Sequence, residues 1–268
     1  MCLAVVALCA HPDYPLVIAA NRDEFHARAA LPAAWWQMSG TTMLAGRDQT
    51  GGGTWMGITR RGRWALLTNY REGIARDASA PSRGELVPQG LRPDASPLAC
   101  AARIAAAGAA YHGFNLLVGD AHGAAYASNR ASGARRLGDG IHALSNHLLG
   151  TPWPKVIRTR ARMQALLGSA GDPLDDALAM LADRTLADES SLPSTGVSAE
   201  WERVLSAPFI VTPAYGTRCS TVVTIDASGR ARLVERSFDA AGEVTGEVRH
   251  AFAVEPSPDP ATERAAAL

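Results

Sequence analysis

The first residues, MCLAVVALCAHPDYPLVIAANRDEF (residues 1–25), decide how the rest of the chain is read. Two short apolar runs, Leu3 to Leu8 and Leu16 to Ala20, flank the turn-forming segment His11-Pro12-Asp13-Tyr14-Pro15. Runs of this length, bounded by Pro and Asp, predict two buried strands in an antiparallel hairpin. Cys2 then leads the first strand, and Asn21-Arg22-Asp23-Glu24 emerges from the second beside it. Taken alone, neither feature carries chemistry. A second-position cysteine is ordinarily a small apolar strand residue, and a charged run at a strand end is ordinarily a solvated turn.

The same segment reads poorly as a targeting signal. No Lys or Arg precedes the run from Leu3 to Ala10, which ends at His11-Pro12-Asp13, too soon to cross a membrane. A lipid-anchored reading needs a small residue before the modified cysteine, and Leu8 precedes Cys9. A soluble protein of the cytoplasm is the expectation. The four cysteines, Cys2, Cys9, Cys100 and Cys219, lack zinc-ribbon pairs or the density of a disulfide scaffold, in keeping with reduced thiols.

Outward from the hairpin, the composition is that of a folded domain. It has 47% hydrophobic and 19% charged residues. Lys plus Arg equals Asp plus Glu at 26 each, which leaves no electrostatic footprint for nucleic acid or an anionic membrane. Strand patterns continue at Met43 to Ala45, Thr54 to Thr59 and Trp64 to Asn69. A helix is predicted from Pro97, capped by Ser96, to Gly108. Strands return at Phe114 to Val118, Ala124 to Ala127 and Ile141 to Ser145, and helices at Pro154 to Leu167 and Pro173 to Leu181. Strands close the chain at Phe209 to Val211, Ser220 to Ile225, Arg232 to Phe238 and Glu247 to Val254. This order predicts an α+β fold, with two packed antiparallel sheets and helices outside. A single domain over 1–256 is expected, with a mobile loop at Ser190 to Ser198 and a frayed tail over 257–268.

Cys2 gains interest from chemistry. Removal of the initiator methionine ahead of a small residue makes it the amino terminus, with a thiol and an α-amine on one carbon frame. An α-amine titrating near 7.7–8.0 is partly neutral at physiological pH and can take the thiol proton. A guanidinium beside the thiol lowers its pKa, and a carboxylate beside the α-ammonium orients it. Asn69 and Asn146 each follow a hydroxyl residue at the end of an apolar strand, where an amide can face an oxyanion, though Asn is equally a turn former there. Gly51-Gly52-Gly53-Thr54 reads as a hairpin turn rather than a phosphate loop. Trp35, Trp36 and Trp55 are candidates to line an apolar pocket. The histidines form no recognisable metal motif.

Eight ordered blocks resemble one family: MC at the start, NRDE at 21–24, GGTWMG at 52–57, ALLTNYR at 65–71, SRGELV at 82–87, GFNL at 113–116, LSN at 144–146 and YGTRCSTV at 215–222. They are similar to the NRDE family, which includes the transport and Golgi organization protein 2 group. That family is itself similar to amino-terminal-nucleophile hydrolases of the choloylglycine hydrolase and penicillin V acylase kind. The resemblance implies a four-layer α-β-β-α sandwich (Ntn-hydrolase-like) with Cys2 as nucleophile and Arg22 and Asp23 flanking it. It also implies Asn69 as oxyanion donor, Asn146 as second active-site Asn, and Arg218 as an Arg facing the thiol. Which of Arg22 and Asp23 takes which role is open, and Glu24 has no counterpart. The implied reaction is acyl transfer on a small-molecule amide or thioester, with no cofactor. The alternative implied by the Golgi-organization group is a carrier of haem or an acyl compound, with thiolate or imidazole as axial ligand.

Overall fold

The apolar runs at the start do form a hairpin, and their alternation explains the layering. Residues 3–73, 77, 79–169 and 171–256 are described in the computed structural model. The chain begins with β1 (Leu3–Leu8) and β2 (Leu16–Phe25), continues through β3 (Ala30–Met38), β4 (Thr41–Asp48), β5 (Met56–Ile58) and β6 (Trp64–Asn69), and then forms α1 (Leu86–Gly90) and α2 (Pro97–Ala106). Next come β7 (Phe114–Asp120), β8 (Gly123–Ser128), β9 (Ala134–Leu137) and β10 (Gly140–Leu144), followed by α3 (Pro154–Leu167), α4 (Pro173–Leu181) and α5 (Ala199–Val204). Long strands β11 (Tyr215–Ile225), β12 (Arg230–Phe238) and β13 (Val244–Ala253) close it.

These strands make a six-stranded sheet ordered β10-β1-β2-β11-β12-β13 and a seven-stranded sheet ordered β3-β4-β5-β6-β7-β8-β9. Every pairing is antiparallel. Successive side chains point to opposite faces of a strand. Ala4, Val6, Leu16, Ile18 and Ala20 therefore enter the core between the sheets, against Leu44, Leu66 and Leu117. Val5, Ala7, Val17 and Ala19 pack outward against Val156, Met163 and Leu178 of α3 and α4. The second sheet repeats this, with Ala65, Leu67, Leu116 and Val118 facing Leu86 and Val87 of α1 and Cys100 and Ile104 of α2. Burial on both faces is why β1 and β2 read as continuous apolar runs. The result is the α-β-β-α sandwich expected from the sequence, with predicted caps in place: Ser96 accepts from the Ala99 N–H at 3.3 Å and Asp172 from the Leu174 N–H at 3.1 Å.

Several local expectations differ from the structure. β2 does not stop at Ala20, because β11 pairs with it from Leu16 to Phe25, so Asn21, Arg22 and Asp23 are buried strand residues rather than a solvated turn. β3 and β9 lack a clear alternation and form because a neighbouring strand offers a ladder. The short helices α1 and α5 also carry too few residues for a 3.6-residue period to show. Phe209 to Val211 is not a strand; one isolated bridge joins Val211 to Gly216, and the Phe209 N–H bonds the Asp183 carbonyl at 2.8 Å. Within Ser190 to Ser198, Thr195 is held by Glu202, its N–H and hydroxyl donating to Oε1 at 2.7 and 2.6 Å. The tail expected to fray, 257–268, lies outside the described residues. Among the described residues no helix is long and apolar enough to cross a membrane.

Trp64 packs directly over Gly119, its cross-strand partner. A Cβ at Gly119 would lie 2.3 Å from the indole. Overpacking of a filled core costs about 1–3 kcal/mol. Gly119→Ala is expected to lower the urea midpoint accordingly, whereas Gly246→Ala, in a strand with nothing within 4 Å of the added Cβ, should not.

Candidate functional site

Where the two sheets separate at one end they leave an open cleft of about 480 Å³. Arg22 and Glu24, alternate residues of β2, form one wall, and Leu67 and Asn69, alternate residues of β6, form another. The glycine-rich turn at 51–53, with Thr54 and Trp55, meets residues 82–84 to complete it. Gly53 and Gly84 touch backbone to backbone: a Cβ at Gly53 would lie 2.4 Å from the Gly84 carbonyl, and the Thr54 N–H bonds that carbonyl at 3.1 Å. Trp55 borders the cleft, but Trp35 packs edge-on against Phe252 and Trp36 donates to the Ala45 carbonyl, so those two belong to the core and its margin.

Arg22 is the polar centre of the cleft. Its side chain is only 4% exposed, its Nη2 donates to Asp48 Oδ2 at 3.0 Å, and its guanidinium lies 4.5 Å from the Trp55 ring centroid. The ion pair joins β2 of one sheet to the end of β4 in the other. Arg28 Nε donates to the same Asp48 oxygen at 2.7 Å, and the N–H groups of Thr50 and Gly51 donate to Oδ1. Burial alone pushes the Asp48 carboxyl up, but the bonds from Arg28 and Gly51 and the charges of Arg28 and Arg22 outweigh it and leave its pKa below the ordinary value.

Asp23 points to the opposite face of β2, as strand alternation requires. Its Oδ1 accepts from Thr217 Oγ1 at 2.7 Å. Asn21, on that same face, fastens the sheet to the helical layer by donating to the carbonyls of Leu181 and Pro208 at 2.9 and 2.8 Å. Arg22 and Asp23 thus serve different faces of one strand end, and Asn69 meets Arg22 across the cleft. Asn146 does not line the cleft; its Nδ2 donates to the Asn69 carbonyl at 3.0 Å. Arg218 also stands back from the lining, with Nη1 donating to the carbonyls of Phe25, His26 and Arg28 at 3.0–3.1 Å, so it braces the turn after β2. Cys2 lies outside the described residues.

Three supporting residues had no strong signal in the sequence. Asn115, in the GFNL block, donates to Thr68 Oγ1 and to the His147 carbonyl, both at 3.0 Å, while Thr68 donates to the Ser145 carbonyl at 2.9 Å. That buried network ties β6 and β7 to the exit of β10 and thereby brings Asn69 to Asn146. Arg71 adds a second tie, donating to Glu202 Oε2 at 2.8 Å from beneath Trp153. Glu235, 2% exposed, accepts from the Ala33 N–H of the opposite sheet and from Thr221 Oγ1, both at 2.8 Å. Burial holds its carboxyl above the ordinary range and likewise pushes the neighbouring Cys219 thiol well up, so Cys219 is not a reactive thiolate. A charge inside the run LVERSF was the one available hint of Glu235.

Comparison with known proteins agrees with the sequence blocks. The model of the family described as Transport and Golgi organisation 2 matches residues 1–240. The chain is 36% identical over 246 residues to the Transport and Golgi organization protein 2 homolog of Bos taurus, covering 84% of this chain and 87% of that one. The Homo sapiens homolog is 35% identical over 244 residues with the same coverage, and the Drosophila melanogaster protein 27% over 266 residues, covering 88% and 92%. Among solved structures, the Caenorhabditis elegans N-acylethanolamine-hydrolyzing acid amidase ortholog superimposes with a TM-score of 0.49 at 12% identity, over 82% of this chain and 92% of that one.

The ion pair across the cleft makes stability depend on pH. Because the folded-state pKa of Asp48 is depressed, its stabilisation is fully present above the free value of 3.8 and is lost as pH falls below that value, through the lower folded pKa. Urea midpoints measured on Asp48→Asn should therefore decline less steeply over that acid range than those of the parent, with the gap between the two proteins widest at neutral pH.

Proposed function

The chain belongs to the Transport and Golgi organisation 2 family, and from that premise we propose that it is an acyl-transfer enzyme using Cys2 as an amino-terminal nucleophile on a linear amide or thioester. One observation carries this reading. β1 enters its sheet at Leu3, opposite Asn21, so the first described residue of the chain lies beside the strand end that carries Arg22 and Asp23, with Asn69 facing Arg22 across the cleft.

In the proposed reaction the Cys2 sulfur attacks the substrate carbonyl while its α-amine takes the thiol proton. The carbonyl π electrons move to oxygen, and the side-chain amide of Asn69 with a backbone N–H holds that oxyanion. The Asn69 side-chain amide is bonded to no other described residue, while its backbone carbonyl is anchored by Asn146. Collapse of the intermediate breaks the bond to the leaving nitrogen or sulfur, which receives the proton from the α-ammonium. Water then attacks the thioester formed with Cys2, gives its proton to the amine, and releases a carboxylic acid and the free thiol. Asp23 orients the α-ammonium and Arg22 favours the thiolate. Asn146 and Arg218 act at one remove, through Asn69 and the turn after β2. A thiol that must stay reduced suits a cytoplasmic setting.

The haem-carrier reading draws less from this cleft. Arg22, Glu24, Arg28, Asp48, Asp77 and Arg83 line it alongside Trp55, Leu67 and Pro81, so charged groups share the surface with apolar ones. The His26 imidazole is engaged with the Thr212 carbonyl at 3.1 Å and does not line it. His112 does line the cleft, but its Nε2 is engaged with the Asp77 carbonyl at 3.0 Å, so the described lining offers iron no imidazole with an open Nε2.

Intact mass of the purified protein is expected to lack Met1. With short acyl thioesters or amides as substrates, Cys2→Ala should abolish turnover, and Asn69→Ala should slow it about 10²–10³-fold while remaining folded. Full turnover by Cys2→Ala would overturn the proposal. Tight haem binding, read from the Soret band and unaccompanied by Cys2-dependent turnover, would favour the carrier.

A further inference from the structure

We propose that the groove between edge strand β10 and helix α3 is a second binding site, for a small amphipathic carboxylate. Residues Ile141, His142 and Ala143 of β10 and Val156, Ile157 and Arg160 of α3 border an open space of about 570 Å³ there. It shares no lining residue with the cleft at Arg22.

The argument rests on which backbone groups of β10 are used. β10 is the last strand of its sheet and pairs only with β1. In an antiparallel ladder the N–H and C=O of alternate residues point to the same side. The Cys9 N–H bonds the Pro15 carbonyl, so the odd-numbered residues of β1 face β2, and their partners Ile141 and Ala143 in β10 face away from the sheet. Both outward carbonyls are already occupied: Arg160 Nε donates to Ile141 at 3.2 Å and the Gly150 N–H donates to Ala143 at 3.2 Å. The outward N–H groups of Ile141 and Ala143 have no acceptor among the described residues. An edge with capped acceptors and open donors cannot accept a further strand, which needs both, and such capping protects it from edge-to-edge pairing. What it can bind is an acceptor.

Charge selects the acceptor. Arg135 and Arg160 are the charged groups among the described lining residues, which also include His142 and hold no carboxylate. Arg160 spends only Nε on the Ile141 carbonyl, and it lines the same groove as Ile141 and Ala143. A carboxylate there would accept from the guanidinium and from the backbone together, in the charge-assisted bonds that are stronger than neutral ones. Apart from Gln164 and His142, the rest of the groove is apolar or glycine. Ile157 is 56% exposed, the largest exposure of any large hydrophobic residue described, beside Val156 and Leu149. A hydrocarbon chain attached to the carboxylate would cover that surface. The site stands whether or not Cys2 is a nucleophile.

The test is titration of the isotope-labelled full chain with octanoate, octanol and inorganic phosphate, read from backbone amide resonances. Octanoate should produce saturable shifts at Ile141 and Ala143, with octanol and phosphate each binding more weakly. Arg160→Gln, which keeps a donor for the Ile141 carbonyl but removes the charge, should weaken octanoate about tenfold or more, and Arg135→Gln should weaken it as well. Octanol or phosphate binding as tightly as octanoate, shifts confined to Trp55 and Asn69, or unchanged affinity in both variants would each overturn the assignment. Should Arg160→Gln fail to give a folded spectrum, Arg135→Gln, at an exposed site, decides the matter.

Discussion

The guanidinium of Arg22, held between the two sheets, is the constraint on which the cleft depends. A buried cation is tolerated only with a partner, and Asp48 supplies one from the opposite sheet. Because Asp48 also gathers Arg28 and the N–H groups of Thr50 and Gly51, one carboxylate fixes both the separation of the sheets and the shape of the glycine-rich turn. Trp55 completes the arrangement by offering its ring face to the same cation. Breaking one partner of a well-buried pair typically costs about 3–5 kcal/mol, which explains how a polar cleft persists at the end of an apolar interface.

Elsewhere, further polar ties join the two sheets. At one end, the Asn115, Thr68 and Ser145 network holds β6 to the exit of β10, and Asn146 anchors Asn69 through that contact. At another, Glu235 reaches from β12 to the Ala33 N–H of β3. Hydrophobic packing is non-directional and sets how closely the sheets approach; directional bonds of this kind set their relative register. The cleft residues come from β2, β4, β6 and the loops after them, so this register decides whether Arg22 and Asn69 face one another.

The edges of the first sheet are treated in the same spirit. β10 keeps its carbonyls occupied by a side chain of α3 and by a loop N–H. β13, at the other edge, carries Glu247, Arg249 and His250, and charged residues at an edge oppose further strand pairing. Two different chemistries thus end one sheet.

Local chemistry determined much of this protein. The apolar runs 3–8 and 16–20 specify a hairpin buried on both faces, Ser96-Pro97 and Asp172-Pro173 mark helix starts, and the alternation of strands and helices leads to two antiparallel sheets with helices outside. The blocks around Asn21, Asn69 and Gly113 also named the family. Those signals act over a few residues, which is why one chain suffices to read them. Only the tertiary structure decided that Arg22 and Asp23 serve opposite faces of one strand, that Asn146 supports Asn69 from behind, that Arg218 braces a turn, and that Glu235 is buried. Each of those facts depends on partners distant in sequence: Asp23 bonds Thr217, and Glu235 bonds Ala33. A side chain's partner across a sheet interface is set by register and packing, and no local pattern in the chain carries that information.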